Sequence, residues 1–345
     1  MRQKLPIIIL SFFALQSFAQ SGAKVFDEVK QITVRNVGVI KKNNEIKGYF
    51  SFYEYDKVDR NTILFKLNLM DENLNQLGTK EIEGPKTWEL VSSGFDGNNF
   101  CFKFYDPKAK TFELKVYNQQ AKEVNSSELE VILKDNSLSY RMYRYNTKVE
   151  LNILPDNGFV NYAFENEDNS FTTCYINGSP KRKWQRVYPN GGDFKAIVPS
   201  FVGSNSEMMI TFIAKVGKGP YTTSSDNFIL ASSIAGGGKL FEVPAIANGK
   251  NFVPVNVTFD SGKIIMVGLN YPNKDVLTGG PEGLSFVEMD FKGKILKSQS
   301  QSFEESLGKY FPMENKKLAG DYLFYVHGIE KTKNNTYVVA GEKFK

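Results

Sequence analysis

Apolar and polar residues alternate over short distances along most of the chain. Runs rich in Phe, Tyr, Val and Ile are bounded by clusters of Asn, Asp and Gly. β-Branched and aromatic side chains fit a pleated surface, and Asn, Asp and Gly supply tight turns. The pattern therefore predicts strands joined by hairpins and few helices. The best-patterned runs are GYFSFYEYD (48–56), NFCFKFYD (99–106), GFVNYAFE (158–165), MMITFIAK (208–215), KIIMVGLN (263–270) and TYVVAGEK (336–343). They recur at a spacing of roughly 50–60 residues, with a longer gap before the last, within the range of propeller blades.

Each run has the same neighbours. A turn precedes it, such as FDGNN, PDNG or FDSGK, and another strand precedes that turn, such as WELVSSGF or NFVPVNVTF. A polar loop, a third strand, a second turn and a fourth strand follow, as in TFELKVYNQQAKEV and LSFVEMDFKGKILKSQS. The second strand is the most apolar on both faces and the fourth the most polar. A radial blade explains that gradient, because inner strands are sandwiched between neighbouring blades while the outer strand meets water. A β-sandwich would alternate more evenly along every strand. The expected fold class is all-β: a propeller-like ring of four-stranded antiparallel units, about five complete and a sixth with only its first two strands. Residues 23–31, including KVFDEVK, are expected to cover the open side of that last unit, since a bare strand edge invites aggregation. Residues 132–147 and 304–320 leave room for short helices.

The N-terminus carries a separate signal. Arg2 and Lys4 precede the apolar stretch LPIIILSFFAL, and Ser17 and Ala19 place small residues at −3 and −1 of a cleavage site. This is the arrangement of a secretory signal peptide over residues 1–19, leaving 20–345 as a single propeller-like domain. No later stretch approaches the about 18 continuous apolar residues of a membrane helix. The expected location is exported: periplasmic, secreted or peripheral on the cell surface.

Composition narrows the chemistry. At 345 residues with 41% hydrophobic and 23% charged side chains, the chain has the make-up of a folded soluble protein. One histidine and two cysteines exclude His-rich metal centres, four-cysteine zinc sites and a disulfide-dense scaffold, so no metal or cofactor is expected. Cys101 and Cys174 both sit in apolar strand-like runs; export permits a disulfide, burial as free thiols is the alternative, and spacing does not choose between them. The net charge of +5 falls when Arg2 and Lys4 leave, which argues against a nucleic-acid partner.

Apparent motifs read better as turns. Asp71 to Asn75 begins like a calcium loop, but Gln76 and Ile82 stand where glycine and a bidentate acid are needed. Gly236-Gly237-Gly238-Lys239 runs into Leu240, without the hydroxyl residue of a phosphate loop. Lys181, Arg182, Lys183 and Arg186 suit a solvated hairpin tip. His327 lies on a predicted inner strand as a structural residue bonded to nearby backbone, with no nucleophile motif beside it.

The C-terminal Lys331-Thr332, the Asn334-Asn335 turn and Val338-Val339-Ala340-Gly341-Glu342 resemble blades of secreted β-propeller-like proteins of unknown function from Gram-negative bacteria. That resemblance implies an exported propeller-like fold and transfers no catalytic residue. In such a unit the loops between second and third strands share one face, and the longest of them are 215–226 and 271–283. Long loops on a rigid ring suit binding. The expected function is a binding or interaction scaffold for a protein, peptide or glycan, with contacts from Glu54, Tyr55, Asp56, Tyr105, Asp106, Glu165, Tyr221, Tyr271 and Asp275. The alternative is a glycoside hydrolase or other propeller hydrolase working through paired carboxylates among Glu54, Asp56, Asp106, Glu165 and Glu342. Trp88 and Trp184 are the tryptophans available to stack on a sugar.

Overall fold

The computed structural model describes residues 36–42, 45–130, 151–165, 170–192, 194, 196–217, 225–272, 280–308, 313–314, 317–318, 323–332 and 336–344. Within these, the apolar runs become strands of successive antiparallel meanders. The first sheet joins β1 (Val37–Lys42), β2 (Glu45–Lys57), β3 (Thr62–Met70) and β4 (Gln76–Pro85). The second joins β5 (Glu89–Phe95), β6 (Phe100–Asp106), β7 (Thr111–Tyr117) and β8 (Glu123–Glu130), and the third β9 (Asn152–Leu154), β10 (Gly158–Glu165), β11 (Ser170–Ile176) and β12 (Lys183–Tyr188). The fourth holds β13 (Ala196–Ser204), β14 (Met208–Val216), β15 (Ser225–Ser233) and β16 (Lys239–Pro244). The fifth holds β17 (Ile246–Ala247), β18 (Lys250–Asp260), β19 (Lys263–Tyr271), β20 (Gly283–Asp290) and β21 (Ile295–Ser302). A short helix, α1 (Phe303–Leu307), and a small hairpin of β22 (Met313–Glu314) and β23 (Lys317–Leu318) follow. The terminal hairpin pairs β24 (Leu323–Lys331) with β25 (Tyr337–Phe344). The chain is a propeller-like all-β protein with five complete blades and a two-stranded sixth unit among the described residues.

The turns form where side chains can replace missing backbone partners. Asp71 Oδ1 accepts the amides of Asn73 and Asn75 at 2.8 Å each, so the run that begins like a calcium loop is a hairpin turn. Asp96, Asn205 and Asp290 anchor other turns through the same oxygen-to-amide contacts. The glycine triplet is the turn between β15 and β16, and the basic cluster at 181–183 lies on the turn into β12.

Two-sided burial of the second strands comes from blade-on-blade stacking. Along β6, Phe100, Phe102 and Phe104 enter the core shared with β2 and β3. The intervening Cys101 enters the core shared with Phe159, Cys174 and Ile176 of the third sheet. Separate cores likewise join the third sheet to the fourth, the fourth to the fifth, and the fifth to the terminal hairpin. Burying each such phenylalanine contributes about 1.5–3 kcal/mol, and Phe102→Ala would cost about 3–5 kcal/mol. The first strands of the first four sheets, β18 of the fifth (after the two-residue β17) and β24 touch one another in turn, β1 with β5, β5 with β9, β9 with β13, β13 with β18 and β18 with β24, which places them innermost.

Cys101 and Cys174 are free thiols, both buried in the core between the second and third sheets. Burial pushes both thiol pKa values up, Cys174 to about 11. Residues 23–31 and 132–147, named above as a closing segment and as room for helices, lie outside the described residues. The second helical expectation, 304–320, begins with α1.

Candidate functional site

An up-and-down blade sends its strand connections to two rims. The turns between first and second strands form one, and they are tied to one another. Lys42 Nζ lies 3.1 Å from Asp156 Oδ1, joining the first sheet to the third. Asn157 Nδ2 donates to the Ser206 carbonyl, joining the third to the fourth. On the same side Asn125 Nδ2 donates to the carbonyls of Asn177 and Ser179, and Trp184 Nε1 to that of Ile234. These side chains hold the blades in register.

The opposite rim carries the loops between second and third strands, where the sequence placed its contact residues. Tyr55 is half-buried, with Lys66 Nζ 4.2 Å from its ring centroid. Glu54 is half-buried beside it, and Asp56 is exposed, its Oδ1 accepting the amide of Lys57. Tyr105 is half-buried and packs on Phe112 at 5.0 Å. Asp106 is buried and anchors its turn: Oδ1 accepts from Thr87 Oγ1, Lys108 N and Ala109 N at 2.8, 2.9 and 3.2 Å. Burial opposes its ionisation, but these bonds hold the carboxyl below the usual range. Tyr271 is buried in the core between the fourth and fifth sheets, so its ring serves packing. The backbone of Glu165 ends β10, its side chain is outside the described residues, and Tyr221 and Asp275 lie outside them altogether.

One polar cluster on this side escaped the sequence reading. Glu242 Oε1 accepts from Tyr188 Oη at 2.5 Å and lies 3.3 Å from Lys215 Nζ, while Lys239 approaches Oε2 at 3.4 Å. Lys215 Nζ also lies 4.5 Å from the Phe228 ring centroid. Burial and the adjoining carboxylate drive the Tyr188 phenol far up, so it acts as a donor across the seam between third and fourth sheets. The four polar residues sit on three strands, β12, β14 and β16, of two sheets, so no local motif could reveal their meeting.

His327 is the bulged residue of β24, and its Nε2 lies 3.2 Å from Glu342 Oε1 across the hairpin. Both side chains are half-exposed or more, so the histidine and Glu342 form a pair at the surface. Trp88 stacks on Phe104 at 4.7 Å, and Trp184 on Tyr175 at 5.5 Å. Among the described residues no group of three or more His, Cys, Asp or Glu is placed to hold a metal ion, and no helix is long and apolar enough to cross a membrane.

A wide opening lies elsewhere. A groove of about 920 Å³ runs between the outer half of the fifth sheet and the terminal hairpin. Leu284, Phe286, Tyr337 and Val339 give it an apolar side, and Lys297 and Gln299 a polar one. The Tyr337 ring lies 5.5 Å from that of Phe286, and its hydroxyl donates to Asp260 Oδ2 at 2.9 Å. Burial and that carboxylate raise the phenol to about 12, which fixes one end of the groove as a neutral, oriented ring.

The model of a family of unknown function, DUF6770, matches residues 1–345. The chain belongs to this family. No curated protein matches it. Among solved structures it is similar to a protein of unknown function from Bacteroides caccae, at 11% identity and a TM-score of 0.32, covering 77% of this chain and 92% of that one. It is also similar to a variant of Synechocystis apocarotenoid oxygenase and to the cobalt-substituted form of that oxygenase, each at 10% identity and a TM-score of 0.35. Each of these alignments covers 77% of this chain and 61% of the oxygenase. At such scores the likenesses carry no argument about chemistry.

Proposed function

We propose that this protein is an exported propeller-like binding scaffold, and that the groove beside its terminal hairpin is the main ligand surface. The groove itself is the observation that carries this reading. It has the size of a ligand site, an apolar wall and a few polar groups on the other side. The signal-peptide pattern at residues 1–19 supplies the export. The loop rim, with Glu54, Tyr55 and Asp56, is the second candidate surface, favoured by the tied turns on the opposite rim.

Two measurements test the proposal. N-terminal sequencing of the chain recovered outside the cytoplasm should begin at Gln20; a chain retained with Met1 overturns export. A photo-crosslinking amino acid placed at Gln299 should capture a ligand from the extracytoplasmic fraction more strongly than one at Tyr55. Capture at Tyr55 alone moves the site to the loop rim, and capture at neither position rejects the binding reading.

A further inference from the structure

β12 is the fourth strand of its sheet, and its side chains reach both neighbouring blades. On one face Lys183 Nζ donates to the Ser126 carbonyl at 2.8 Å, and Gln185 Nε2 to the Glu128 carbonyl at 2.9 Å, both on β8 of the second sheet. On the other face Trp184 Nε1 and Arg186 Nε donate to the carbonyls of Ile234 and Gly236, and Tyr188 Oη to Glu242. Successive side chains of a strand point to opposite faces, so KWQRVY serves two seams at once. Ile234 and Gly236 belong to the turn between β15 and β16, where carbonyls left by the turn need capping. Ser126 and Glu128 lie inside a strand, which gives their caps a different meaning.

In a strand the N–H and C=O of one residue point to the same side, and alternate residues face alternate sides. β8 pairs with β7 along one edge, so carbonyls at 126 and 128 that accept side chains mark the residues of the other edge. The Ser126 amide is taken as well: it donates to Asn125 Oδ1 at 2.9 Å, while Asn125 Nδ2 holds the carbonyls of Asn177 and Ser179. Gln185 Nε2 also lies 3.2 Å from Ser127 Oγ, which keeps its amide over the edge. Three of the four backbone groups at Ser126 and Glu128 therefore hold side-chain partners. A strand arriving beside β8 would need those same groups. The partner best matched to them is the same edge of another copy. About a two-fold axis through Ser127, Ser126 of each copy would face Glu128 of the other, antiparallel and self-complementary. We propose that Lys183 and Gln185 close the β8 edge against strand addition by a second copy of this chain. A lysine held at the edge adds repulsion, because the two-fold pairing would bring two ammonium groups together.

The test compares the chain from Gln20 onward with its Lys183→Ala/Gln185→Ala variant, by light scattering and amide hydrogen exchange. Both side chains are exposed, so the variant should melt near the wild type. Its mass should approach twice that of the wild type as concentration rises. Exchange at Ser126 and Glu128 should then slow at least about tenfold, as new strand bonds form. Lys183→Gln removes the charge but keeps a donor, so it should retain the wild-type mass. A double variant whose mass follows the wild type at every concentration overturns the proposal, and so does association without slowed exchange at 126 and 128. Association of Lys183→Gln as strong as that of the double variant would assign the effect to charge alone, which also overturns it. A wild type that is already paired through these amides does the same. Should the double variant unfold, Gln185→Ala decides: it frees the Glu128 carbonyl alone and must raise the mass above wild type, failing which the proposal falls.

Discussion

Lys103 gives the sharpest test of how this core is built. It lies on β6 in the core between the second and third sheets and is fully buried. Its Nζ donates to Asn161 Oδ1 at 2.5 Å and sits 4.0 Å from the Phe112 ring centroid. An aromatic ring returns about 0.5–2 kcal/mol to a cation, less than the several kcal/mol lost when an ion leaves water. Burial therefore wins and pushes the ammonium pKa well below the ordinary 10.5. Between the folded pKa and 10.5 the unfolded chain binds the extra proton, so stability rises with pH there, by at most about 1.4 kcal/mol per unit. The buried thiols act in the opposite sense, but their contribution declines only above the ordinary thiol value of 9.0. Between the folded lysine pKa and 9.0 the lysine, not the thiols, therefore sets the slope. Lys103→Met keeps the volume and removes the titration, so its urea-unfolding free energy should be flatter with pH than that of the wild type. The same change leaves Asn161 Oδ1 without its donor beside an Nδ2 that has no partner among the described residues, a cost of about 1–3 kcal/mol. Adding Asn161→Leu should recover that cost and exceed wild-type stability at neutral pH. Parallel pH profiles for wild type and Lys103→Met would refute the argument.

Asp106→Ala should lower stability by about 1–3 kcal/mol at neutral pH through loss of the Thr87, Lys108 and Ala109 bonds. Because its folded pKa is lowered, the contribution is present above 3.8 and fades as pH falls through the folded value, so the gap in urea midpoint should narrow in acid. Tyr188→Phe removes the donor to Glu242 and should lower the unfolding free energy by about 1–3 kcal/mol, read by thermal melting; an unchanged melt would show that Lys215 and Lys239 satisfy the carboxylate alone. Cys101 and Cys174 should resist a thiol reagent in the native protein and react in denaturant as two free thiols. Full resistance in denaturant without reductant would mean that they are bridged.

Strand identity was legible because it depends on local spacing. Residues 99–106 are apolar on both faces, and only a strand pressed between two sheets tolerates that, so the run announced β6 and its two cores. The Asn, Asp and Gly clusters announced the turns, because a side-chain oxygen two residues back is a local property. The fate of Asp106 was not legible: a strand-end carboxylate reads the same whether it waits for a ligand or accepts Thr87 from a neighbouring strand. Tyr271 was placed on the contact face from its position in sequence, yet the fourth sheet packs over it.

By itself the sequence determined the all-β class and the order of strands, since periodicity and turn chemistry are written along the chain. Tertiary structure alone decided which side chains meet between sheets. Asn161 and Lys103 lie 58 positions apart, and Tyr188 and Glu242 lie 54 apart. The groove has the same origin. Leu284 and Phe286 carry the pattern of any third strand, and they are half-buried where the terminal hairpin, two strands among the described residues, stacks on the fifth sheet. Burial is a property of neighbours brought together by folding, so no reading of β20 alone could have found its open side.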